Sequence, residues 1–185
     1  MKPSPSTAAR AAWIAVASVA IAAVSLGPTR ASAQSTEFDT GISIAELMEA
    51  LVMPEADVIW GAVQFVSSAD DEGMVGPETD EEWLAVRHNA IALAEVANNL
   101  MIPGRPANRP DAEALPGELS PGEIEDLIDS QRSAWNGYAR ALRTVAMQAV
   151  EVIDARDSEA LFLETGGDLD AACEACHTAF WYPSQ

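Results

Sequence analysis

The chain has 185 residues, with 29 acidic against 10 basic side chains and a formal charge of −19. An acidic surface of this kind repels nucleic acid and anionic membranes, so neither is an expected partner. Its two cysteines lie three residues apart, and a loop that short cannot staple the fold, so their use is local.

The N-terminal stretch has Lys2 and Arg10, an apolar run from Ala11 to Leu26, and Ala31-Ser32-Ala33 as a small-residue cleavage site. That order predicts a secretory signal peptide over 1–33, cleaved near Ala33, and a periplasmic domain over 34–185. The apolar run falls short of the about 20 residues of a membrane span, so none remains after cleavage; a retained anchor is the alternative. Cleavage removes Lys2, Arg10 and Arg30 and no acid, leaving arginine as the sole remaining cation. The mature surface would attract a basic partner protein and is compatible with a homodimer.

Four periodic blocks follow, and they predict helix throughout. The first opens at Ser43, which can cap a helix, with Glu46 completing a capping box and Ile42 stapling to Leu47. Apolar positions run through Ile44, Leu47, Met48, Leu51, Val58, Ile59, Ala62 and Phe65. Pro54 predicts a kink or restart, and Ser67 to Glu78 reads as an acidic loop. A second capping box at Thr79–Glu82 starts a seam of threes and fours through Trp83, Val86, Ala90, Leu93, Ala97 and Leu100. Residues 103–120, with four prolines, predict a long connection without regular structure.

The third block begins at Ser120 with Pro121 in the first helical position, and Leu119 can staple to Ile124. Its seam runs through Ile128, Gln131, Trp135, Tyr138, Leu142, Val145 and Ala149 as one helix. After a tight junction at Arg156-Asp157-Ser158 the fourth block follows with Phe162, Gly166, Leu169, Cys173, Cys176 and Phe180. Gly166-Gly167 weakens it and Pro183 ends it. The fold class predicted is all-α, an antiparallel up-down-up-down four-helix bundle.

Cys173-Glu174-Ala175-Cys176-His177 is C-x-x-C-H, the attachment pattern of c-type haem. On a helix, residues i and i+3 share a face, so both thiols can reach the two vinyl groups along one side of a porphyrin. His177 follows directly and can turn its imidazole under the iron. A thioredoxin-like dithiol would sit at a helix start beside strands. A zinc site would need a fourth ligand, with His88 as the only other histidine. A plain disulfide would leave His177 unexplained. The expectation is one haem c per chain, attached through Cys173 and Cys176, with His177 as proximal ligand.

For the sixth ligand, an antiparallel bundle places the start of the first helix beside the end of the fourth. At about 1.5 Å per residue, Met48 and His177 both lie roughly 8–9 Å from that end, whereas His88 is about 20 Å away. Met48 ranks first as distal ligand, then Met101, then Met53; the competing reading of Met48 is a gap-filling core residue. Arg105 at the same end could pair a haem propionate. Trp60, Trp83 and Trp135 could line the haem, or serve as ordinary core.

The export signal, four helices and a C-terminal Cys173-Glu174-Ala175-Cys176-His177 together resemble the class II cytochromes c, which include cytochrome c′ and the cytochrome c-556 type. The resemblance covers essentially the whole mature chain. It implies either a five-coordinate iron that binds small gases, as in cytochrome c′, or an electron carrier with a first-helix methionine ligand, as in the c-556 type. Met48 suits that methionine. Cytochromes c′ commonly carry a basic residue four positions after the histidine; here Trp181 stands there. The reading is therefore an electron carrier with His177 and Met48 as axial ligands, and a gas-binding protein is the alternative. No carboxylate pair, nucleophile constellation or phosphate loop is placed for catalysis, so an enzyme is not expected.

Overall fold

The computed structural model describes residues 38–68 and 72–183; the expected signal peptide lies outside the described residues. The fold is mostly helical, with one small two-stranded sheet. The first helical segment runs as α1 (Ile44–Leu47), a π turn (Met48–Val52) and α2 (Met53–Gly61). A hairpin of β1 (Gln64–Ser67) and β2 (Glu72–Val75) follows, then α3 (Asp80–Leu100). After the proline-rich connection come α4 (Pro121–Ser130), α5 (Arg132–Ala155), a short α6 (Ser158–Ala160), a second π turn (Leu161–Thr165) and α7 (Gly166–Phe180). Among the described residues no helix is long and apolar enough to cross a membrane.

The helix starts are where side-chain chemistry sets them. Ser43, Thr79 and Ser120 each cap a helix and each receives a capping box from the glutamate three residues on, Glu46, Glu82 and Glu123. Each box satisfies otherwise orphaned backbone N–H groups. Ile42 does not act as a staple; it is 54% exposed.

Three local expectations are corrected. The segment expected as helix to Phe65 and loop from Ser67 forms the hairpin instead, with Phe65 opposite Met74 and Val66 opposite Gly73. The third block is two helices, broken at Gln131, whose φ of −119° and ψ of 34° lie outside the helical well. The third correction concerns which residues face inward. A π turn closes i→i+5 bonds and so advances the buried face by five residues instead of three or four. The first one takes the core from Leu47 to Val52 and leaves Leu51 and Val58 exposed. Around the second, Leu161, Thr165 and Leu169 face inward four apart, and Phe162 is 38% exposed.

The long helices pack in sequence neighbours, α2 on α3, α3 on α5 and α5 on α7, and α7 also meets α2. Bonds at the helix ends fix directions. Trp135 Nε1, near the start of α5, donates to the Leu100 carbonyl at the end of α3 at 2.7 Å. At the other end Arg87 pairs with Asp154 at 2.7 Å and Arg156 with Asp80. α3 and α5 are therefore antiparallel. Trp60 Nε1, at the end of α2, donates to the Gly166 carbonyl at the start of α7 at 3.0 Å. Arg156 closes α5 with φ 56°, a left-handed position usually given to glycine.

The proline-rich connection has no regular structure, as expected, but it is stitched down. The Pro106 and Ala107 carbonyls accept from the Ile44 and Ala45 amides, and the Leu119 amide donates to the Trp181 carbonyl. Ala107 is fully buried. These bonds draw the start of the first segment and the end of α7 to the same end of the molecule.

Candidate functional site

At that end lies an apolar cavity of about 70 Å³. Four helical segments build it. The first segment contributes Met48, Val52 and Met53; α3 gives Leu100; α5 gives Trp135, Tyr138, Ala139 and Leu142; α7 gives Ala172, Cys173, Cys176 and His177. An open groove adjoins it, lined by Met48, Met53 and His177 again, with Glu49, Glu118, Trp181 and Tyr182.

α7 presents its chemistry because of helical spacing. Cys173 and Cys176 stand one turn apart, half-buried and unjoined, and His177 follows on the same half-buried side. Phe180, 1% exposed, anchors the helix behind them. It packs edge-on against Trp135 at 5.2 Å and Tyr138 at 5.9 Å, contacts worth about 0.5–1.5 kcal/mol each. The His177 carbonyl accepts from the Trp181 and Tyr182 amides, and the Tyr182 ring lies 5.9 Å from the imidazole.

Burial sets the protonation states. It pushes the Cys176 thiol up to about 12, with Cys173 adding to the rise. It also raises Cys173, helped by the Asp170 charge. Thiols so raised are protonated at neutral pH and are poor exchange nucleophiles, unlike those of a redox dithiol. Burial lowers His177, against the pull of Glu174, so the imidazole is neutral at pH 7 with a lone pair free to bind a metal.

The structure brings Met48 and Met53 to the same cavity as the two cysteines and His177. Met101 does not line it; its sulfur receives Arg140 Nη1 at 4.0 Å. Trp135 lines it, while Trp60 and Trp83 do not. Arg105 is also elsewhere: its guanidinium donates to the Ile42 and Asn99 carbonyls. His88 is an exposed residue in the body of α3. Among the described residues no three His, Cys, Asp or Glu side chains gather as a metal cluster, so the donor set is the mixed one of imidazole, thiols and thioethers.

The sequence reading missed Val52 and Tyr182. Val52 reaches the cavity through the π turn, which leaves no mark in an apolar spacing. Tyr182 follows the end of α7, and only the fold brings it back onto His177. Compared with known proteins, the chain matches no family model, and no curated protein or solved structure is similar to it.

Proposed function

We propose that this chain is an exported c-type cytochrome of the class II kind: a signal peptide, then an up-down-up-down four-helix bundle holding one covalent haem and carrying electrons. One observation carries the reading. The C-x-x-C-H residues and two first-segment methionines line a single apolar cavity between four helical segments. These residues fit a haem. Two thiols one turn apart suit two thioether links, a neutral imidazole suits the iron, and the apolar wall suits the porphyrin faces.

When bound, the haem supplies a one-electron ferrous–ferric couple. The chain's own residues set its conditions. Cys173 and Cys176 would hold the ring, and His177 and a thioether from the first segment would supply the donors to its iron. Thioether ligation raises the potential relative to a second imidazole. Trp135, Tyr138 and Leu142 keep water from the ring, which disfavours the extra charge of the ferric state. Glu49 and Glu118 on the adjoining groove, and Glu174 beside it, favour a basic redox partner, with association that weakens as salt rises.

The test is expression with export and a haem-maturation system. A haem stain should survive denaturing electrophoresis and vanish in Cys173→Ala/Cys176→Ala. The purified ferrous protein should be low-spin and ignore carbon monoxide. Ready carbon monoxide binding would support the gas-binding alternative and reject the carrier; absence of covalent haem would reject both.

A further inference from the structure

Met48 and Met53 are five residues apart. On a regular α-helix that spacing turns two side chains about 140° away from each other, so only one could face a given cavity. The π turn over Met48–Val52 changes this. With i→i+5 bonding, residues five apart come back to nearly the same face. Both methionines accordingly line the cavity with Cys173, Cys176 and His177, and both line the adjoining groove with His177. Met48 is half-buried and packed against the core. Met53 is 44% exposed at the mouth, where burial gives no reason for a large apolar side chain. Both have three rotatable bonds ahead of a terminal methyl, and both carry the soft sulfur that a haem iron accepts.

Resting on the cytochrome reading, we propose that Met48 and Met53 are interchangeable axial donors: either thioether can occupy the sixth position, so the π turn gives this chain a spare ligand. Met48, the more buried, holds the position in the unmodified protein. Met53 takes it when the Met48 sulfur is removed. Ligation by the more exposed Met53 leaves the site wetter, which favours the ferric state and lowers the potential.

The experiment uses leucine replacements, which remove sulfur and keep volume, so the packing survives. The readouts are the optical spin state, carbon monoxide binding and the midpoint potential of the haem-loaded protein. The unmodified protein and Met53→Leu should both be low-spin and refuse carbon monoxide. Met48→Leu should remain low-spin at a lower potential, and Met48→Leu/Met53→Leu should become high-spin and bind carbon monoxide. A low-spin unmodified protein with a high-spin Met48→Leu overturns the proposal and leaves the carrier reading standing. A low-spin double variant overturns it too, because another residue then holds the iron. A high-spin unmodified protein overturns the carrier reading and the proposal with it.

Discussion

The α3–α5 contact and the corner between the first segment and α7 are built to opposite standards. Along α3 and α5 the inward residues are small and closely packed: Ala90, Leu93, Ala94, Ala97, Ala146 and Ala149 are all 0–1% exposed. Ion pairs and the Trp135–Leu100 bond pin that contact at both ends. At the corner, Met48, Cys173, Cys176 and His177 are only half-buried around a cavity. The first π turn, with Met48 and Val52, lies in its wall. The close-packed contact holds the scaffold; the corner leaves Cys173, Cys176 and His177 only half-buried around an apolar cavity.

Leu93→Ala should break the packed side hardest. Its side chain is fully buried, and the cavity left behind predicts a loss of about 2–5 kcal/mol. Met48→Leu in the haem-free chain should cost less than about 1.5 kcal/mol. Urea unfolding of both variants measures the contrast, and equal losses would remove it.

Trp135→Phe sharpens the same comparison at the point where the two regions meet. The ring volume is largely kept, but the Leu100 carbonyl at the end of α3 loses its buried donor. A loss of about 1–3 kcal/mol follows, and the near-ultraviolet circular dichroism of the site should change with it.

The helix caps should give smaller effects. Ser43→Ala removes a cap that is itself buried and should cost about 1 kcal/mol. The capping carboxylates also set an acid limb. Hydrogen bonds from Ser43, Thr79 and Ser120 hold Glu46, Glu82 and Glu123 below the usual carboxylate range. A group depressed on folding stabilises above its unfolded pKa and loses that contribution as pH falls, so this part fades below about pH 4.5. Glu46→Gln/Glu82→Gln/Glu123→Gln should flatten that limb in denaturant unfolding followed from pH 6 to 3.

The smallest effect expected is from Arg87→Ala. The pair with Asp154 is substantially exposed, so its loss should stay under about 1 kcal/mol and shrink further in high salt. Unfolding at low and high ionic strength checks it.

Much of this was legible in the chain. The three serine or threonine caps followed by glutamate named the helix starts because capping is local chemistry. The seam from Trp83 to Leu100 named the buried face of α3 because an unbroken α-helix keeps one period. The shared side of Cys173, Cys176 and His177 on α7 was legible for the same reason, since they sit within about one and a half turns. The hairpin at 64–75 was not legible: its residues are nearly all exposed, so no inward alternation marks it. The break at Gln131 was missed because the apolar spacing runs on across it.

Local sequence chemistry settled where the helices begin, which face of α3 is buried and which three residues share one side of α7. All of these depend on neighbours within a few positions. Tertiary structure decided what those residues face. It selected Val52 over Leu51, because a π turn differs from an α turn by one residue of advance, and only packing against other helices chooses between them. It turned Met101 toward Arg140 and Arg105 toward two backbone carbonyls. It also set Met53 beside Met48 in the cavity wall, through the same five-residue advance, and left Met101 out of it.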